Sequence, residues 1–286
     1  MKHTTATAFR GDHSRFGVYG FGGCDVWAIA EAAAGLQKYT AATGAAFAAG
    51  RAQFTHSDLI LQSWEGVDLD EFAEVRQRLH LDPAVNRPVL FESEFTIPDL
   101  EWLGSFPKNV VVLSISSDLV RTLYRQREHG FLVDPGGFWL TGDIAGTLGD
   151  LDTVKWFGSN FEKLGKISLE ASMANLSRIV SLLRTEVGAE VVVFNSLTVD
   201  PGRQVLDYQL SHSPHRTRRR EFALALVDLA AELNFSIIDV DRIVKGVGVS
   251  GLGDFVKFMP MHKRAIASEF VHVLYERAVF DRDECP

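Results

Sequence analysis

The chain has 286 residues, 46% of them hydrophobic and 23% charged, with a formal charge of −8 at pH 7. That is enough apolar material for one large α/β domain, and the acidic balance argues against a general nucleic-acid binder. Two cysteines, Cys24 and Cys285, make no disulfide framework and point to a reducing, cytoplasmic setting.

Along the chain, apolar runs bounded by breakers predict strands over residues 16–21, 59–64, 110–115, 190–194 and 236–240. Amphipathic stretches of helix length lie between them, at 26–39, 69–79, 119–129, 169–186 and 219–233. A closing helix is expected over 260–279, with Pro260 suited to its first turn. Strands alternating with helices imply a mostly parallel sheet with helices on both faces, as a single domain over 1–286. Residues 131–160, rich in glycine and aromatics, read as an insertion or lid. Residues 41–49 are an alanine-rich tract. The first fifteen residues lack a signal-peptide core, and no run of about eighteen apolar residues predicts a membrane span.

The most informative segment is Gly20-Phe21-Gly22-Gly23-Cys24-Asp25, where the first strand meets a helix. A reactive side chain on such a tight bend sits at the carboxyl edge of a sheet, and the following helix N-terminus lowers a thiol's pKa. The glycines are not a dinucleotide fingerprint, because the third one would fall at Asp25, whose charge repels a pyrophosphate. A free cysteine is also often a small buried hydrophobe, and it is the glycine turn that favours function at Cys24. The basic run His215-Arg216-Thr217-Arg218-Arg219-Arg220 opens a helix, where cations are disfavoured. It reads either as a solvated patch or as a grip for a phosphate of coenzyme A or a phosphopantetheinyl carrier. The histidines show no metal-ligand spacing, so no metal is expected.

Three segments, in order, resemble the SGNH (GDSL-type) hydrolase superfamily. Phe21-Gly22-Gly23-Cys24-Asp25 stands where that family has its nucleophile turn. A central succession follows: Asn175 and Leu176 on a helix, the strand ending at Phe194 and Asn195, a helix opening Arg219-Arg220-Glu221, and a strand ending Ile237-Ile238-Asp239-Val240-Asp241. Last comes Gly253-Asp254-Phe255-Val256-Lys257-Phe258-Met259-Pro260-Met261-His262, which looks like the family's terminal Asp-x-x-His block. The resemblance implies an SGNH-like three-layer sandwich. The departures are a cysteine in place of serine, and Lys257 where the family has histidine. Branches with Gly-x-Cys turns include proteins tied to polysaccharide acylation, and Asp58-Leu59-Ile60-Leu61-Gln62 is similar to a strand of that group.

With these residues, acyl transfer or ester and thioester hydrolysis would run through Cys24 as nucleophile. Asp254 would orient a base or counter-ion supplied by His262 or Lys257, each of which also reads as a surface residue. Gly23, with Gln62, Ser114 and Asn195 at strand ends, would furnish oxyanion or substrate contacts. The expected partner is a small acyl substrate, with an acyl-CoA or acyl-carrier thioester, and hence a carrier protein, as a possible donor. No bound cofactor is expected. Two rival readings share the cleft: a non-catalytic relative that binds a glycan, metabolite or protein, and a hydrolase that uses carboxylate-activated water.

Overall fold

The computed structural model describes residues 14–22, 26, 46–52, 56–81, 85–86, 108–135, 150–199, 214–249, 252 and 258–279. Its main sheet has five parallel strands: β1 (Ser14–Phe21), β2 (Ala46–Ala52), β3 (Lys108–Ser114), β7 (Ala189–Phe194) and β8 (Ser236–Ile238), in the order β2-β1-β3-β7-β8. The chain leaves β1 for one side of the sheet and returns on the other at β3. The carboxyl ends of β1 and β3 are therefore the topological switch point, where open α/β sheets form their crevice.

Alternation along β3 builds both faces. Val111 and Leu113 face one layer and Val110 and Val112 the other, and all four are buried. On the first face they meet Leu59, Ile60 and Leu61 of α1 (Ser57–Glu65), Ile179 and Leu183 of α5 (Leu169–Val187), and Phe222 and Leu226 of α6 (Pro214–Leu233). On the second they meet Val240 and Val244 of α7 (Val240–Val247), and Ile266, Phe270 and Leu274 of α8 (Pro260–Glu276). Burial on both faces is why these strands read as continuous apolar runs. The mostly parallel, helix-flanked α/β architecture expected from the sequence is present.

A second, antiparallel sheet, β5-β4-β6, comprises β4 (Leu123–Gln126), β5 (Leu132–Val133) and β6 (Phe161–Gly165). With α2 (Leu69–Arg78) and α4 (Leu151–Asn160) it closes an aromatic cluster of Phe72, Tyr124, Phe131, Phe157 and Phe161. The two ends of the 131–160 stretch are thus core, while residues 136–149 lie outside the described residues.

Two predicted elements are corrected. Residues 59–64 form helix α1 rather than a strand. A short apolar run fits either form, and here His56 accepts from the Asp58 N–H at the helix start. Residues 119–129 are not a helix: α3 (Ser116–Val120) ends early, and Tyr124 and Gln126 are buried either side of exposed Arg125, the period of a strand. β2 occupies part of the alanine-rich tract. The predicted helix over 26–39 lies outside the described residues apart from Val26.

Candidate functional site at the sheet switch point

At the end of β1 the backbone turns at Gly22. A Cβ there would overlap the Val26 side chain and stand 3.2 Å from Ser114 Cβ, so only glycine fits. This close approach locks the carboxyl ends of β1 and β3 together. Gly23 and Cys24, the next residues in sequence, lie outside the described residues, as do Asp254 and Lys257. Ser114 is the last residue of β3, and its Oγ lies 2.9 Å from Ser116 Oγ and accepts from the Ser116 N–H at 3.2 Å.

Asn195 follows β7 directly and ties two loops together. Its Nδ2 donates to Asp239 Oδ1 at 2.8 Å, and its Oδ1 accepts from the Asp241 N–H at 3.3 Å. Asp239 also caps α7, accepting from the Arg242 N–H at 3.0 Å. Asp241 in turn accepts from the Thr198 N–H at 2.7 Å and pairs with Lys245. The amide therefore holds the β7 and β8 exits at a fixed spacing.

Gln62 lies on α1, not at a strand end. Its Oε1 accepts from the Leu132 N–H at 2.6 Å and its Nε2 donates to the Leu132 carbonyl at 2.9 Å. Asn86 does the same for Asp134, at 2.7 and 2.8 Å. Two side-chain amides thus replace a neighbouring strand along the outer rim of β5. Beside Gln62 runs an open groove of about 520 Å³, whose lining includes Asp58, Arg125, His129, Asn175 and Arg178.

His262 is buried on α8 rather than exposed on its first turn. Its Nε2 donates to the Gly248 carbonyl at 2.6 Å, while Nδ1 has no hydrogen-bond partner. The basic run also differs from the surface patch or phosphate grip that its charge suggests. Arg218 donates to the carbonyls of Asp118 (2.8 Å), Leu119 (3.2 Å) and Ile167 (2.6 Å), and its guanidinium lies 4.3 Å from the Phe222 ring centre. Arg219 donates to Ser196 Oγ and to the Leu197 carbonyl at 3.4 Å. These cations serve open backbone carbonyls in α3 and in neighbouring loops, and the Ser196 hydroxyl, which explains their place at the start of α6.

Sequence reasoning missed a buried polar cluster where α1, α3 and α5 meet. Asp118, 3% exposed, accepts from the Ser57 N–H at 2.8 Å, Ser57 Oγ at 2.6 Å and Ser172 Oγ at 2.5 Å. His56, 1% exposed, sets Nδ1 3.6 Å from both Asp118 Oδ1 and Asp58 Oδ2. Its Nε2 is buried without a hydrogen-bond partner. The one signal in sequence is His56-Ser57-Asp58 ahead of an apolar run, a helix-start pattern hidden by the strand assignment. Among the described residues no group of three or more His, Cys, Asp or Glu could hold a metal ion, and no helix is long and apolar enough to cross a membrane.

No family model matches the chain, and no curated protein matches it. Solved structures similar to it include an acetylxylan esterase from Geobacillus stearothermophilus, 14% identical, with 91% of this chain and 93% of that chain covered and a TM-score of 0.43. A phospholipase A1 from Streptomyces albidoflavus is 13% identical, with 92% and 98% covered and a TM-score of 0.40. An aryl esterase from M. smegmatis is 12% identical, with 92% and 99% covered and a TM-score of 0.41.

Proposed function

We propose that this chain cleaves or transfers acyl esters at the carboxyl edge of its main sheet, with the Cys24 thiol as nucleophile. The observation that carries the reading is the bend at Gly22, two residues before Cys24, where an added Cβ would stand 3.2 Å from Ser114 Cβ at the switch point. A thiol needs less activation than a serine hydroxyl, because its pKa starts near 8.5 and falls beside a cation or a helix N-terminus. Lys257 supplies such a cation as counter-ion, and Asp254 orients it. Backbone N–H groups at Gly23 and Cys24, with Ser114, steady the oxyanion. The thioester so formed passes its acyl group to water or to an alcohol or amine acceptor. An acyl-CoA or acyl-carrier thioester enters this scheme as a donor substrate, without Arg218 or Arg219 as its phosphate grip.

The test is turnover of short-chain p-nitrophenyl esters and acyl thioesters by wild type and Cys24→Ala, with and without an added alcohol or amine. Wild type turns over, the variant falls to background with its fold intact, and the acyl product identifies water or the added acceptor as the second substrate. Equal turnover by both proteins overturns the thiol and leaves activated water. No turnover across the panel, with Cys24 no more reactive than Cys285, leaves a binding protein.

A further inference from the structure

We propose that this protein pairs with a second copy of itself through the outward row of α6, as a two-fold dimer. Apart from Asp228 and Glu232, every residue of this helix from Phe222 to Leu233 is apolar. Phe222, Leu226 and Leu229 are buried in the core of the first sheet face. Leu224 and Val227 lie on the opposite side of the helix, 69% and 56% exposed, with Ala231 one turn further on.

The neighbouring α5 packs on the same face of the sheet and meets water differently. Its exposed row is Glu170, Ala174, Arg178, Ser181 and Thr185, without a large apolar side chain. A helix with a polar outer face is completed by solvent, whereas one that is apolar all round is ordinarily buried. Single exposed leucines are common, but Leu224 and Val227 adjoin one another on one helix face, at i and i+3. The outer surface of α6 is complete only when another surface covers it.

The charges beside these two residues identify the cover. Arg220, Leu224 and Asp228 follow one another at four-residue spacing and form one ridge along the helix. The ridge reads positive, apolar, negative. All three residues are exposed, and among the described residues neither the Arg220 nor the Asp228 side chain has a hydrogen-bond or ion-pair partner. A two-fold axis at Leu224, set across the ridge, lays the ridge beside its own copy in the reverse direction. Helices whose ridges of this kind interleave cross at about 50°, the commonest packing angle in globular proteins. Leu224 and Val227 of both copies then close the centre, and Arg220 of each copy faces Asp228 of the other. A two-fold contact requires that reciprocity, since the same patch serves on both sides. Parallel pairing would instead set Arg220 against Arg220 and Asp228 against Asp228, like charge on like. A partner of uniform charge would match one end of the ridge and oppose the other, so a second copy is the occupant that satisfies both.

The experiment is sedimentation velocity on the full chain from about 1 to about 100 μM, a span that brackets weak and firm protein pairs. Wild type is expected to be dimeric at the upper end. Leu224→Glu should be monomeric there, with the circular dichroism and Tm of wild type, because this side chain is exposed in the single chain. Arg220→Glu and Asp228→Arg should each weaken the dimer about tenfold or more, since each sets like charges together. Their equimolar mixture should recover the wild-type dimer, because each variant then meets the opposite charge on the other. A monomeric wild type at the top of the range overturns the proposal, and so does a dimer that persists in Leu224→Glu. Single charge variants that pair as wild type does, or a mixture that stays monomeric, overturn the two-fold contact. Should Leu224→Glu unfold, Val227→Gln decides by the same readout. An unchanged dimer then overturns the proposal, and about tenfold weaker pairing or more supports it.

Discussion

Among the described residues two histidines, His56 and His262, are buried, and their surroundings differ in kind. His262 lies on α8, on the second face of the sheet, with one nitrogen on the Gly248 carbonyl. His56 lies at the carboxyl edge, with two carboxylates on one side of its ring and nothing bonded on the other. Sequence position singled out His262, because it follows Asp254 ahead of the last helix. The comparison teaches that a histidine's neighbours assign its work, and that those neighbours come from elements far apart in the chain.

Substitutions sharpen this contrast. The largest effect is expected at Asp118→Ala, which leaves Ser57 N–H, Ser57 Oγ and Ser172 Oγ without their acceptor and removes the anchor of His56. We expect a stability loss of about 3 kcal/mol or more in urea unfolding. A variant as stable as wild type would mean that the cluster is not a structural junction. His262→Ala comes next, with a loss of about 2–3 kcal/mol from an emptied core position and a freed Gly248 carbonyl. Its turnover per folded molecule should stay near wild type, and a hundredfold fall would place His262 among the catalytic groups.

The smallest effect is expected at the far, amino end of the sheet. Burial holds the Glu190 carboxyl above the usual carboxylate range, and Arg277 and Arg184 offset this only in part. A raised carboxyl pKa means that the folded protein binds the proton more readily than the unfolded chain. The stability it contributes is complete below the ordinary glutamate pKa and is lost as pH rises through the raised value. Glu190→Gln should therefore raise Tm by a small amount at pH 7, with a smaller gain at pH 4. An equal gain at both pH values would show that the carboxyl titrates normally. Turnover should not change, because this end of the sheet lies opposite the site.

How much of this was legible follows from what each residue's signal depends on. The parallel strands were readable because Val110 to Leu113 and Val191 to Phe194 are buried on both faces and leave an unbroken apolar record. β2 was not, since its Ala-Phe-Ala-Ala-Gly-Arg-Ala sequence lacks the branched residues that mark strands. The bend at Gly22 could be read as punctuation, whereas the reason only glycine fits, the nearness of Ser114 on another strand, could not. Arg218 and Arg219 stood out as cations at a helix start, but the carbonyls they serve lie 22 to 100 positions away. The meeting of His56 with Asp118 depends on β1 separating β2 from β3, a fact of strand order that local pattern does not record.

The small sheet carries one further consequence. A strand at the margin of a sheet invites any extended peptide to zip onto it, and many proteins suffer fibrous self-association by that route. Gln62 occupies the outward-facing backbone pair of Leu132 in β5, and Asn86 that of Asp134 just beyond it, so both rungs are already taken. Because Gln62 sits on the same helix that begins after His56, the element that guards this margin against clumping is also the one that seats the imidazole.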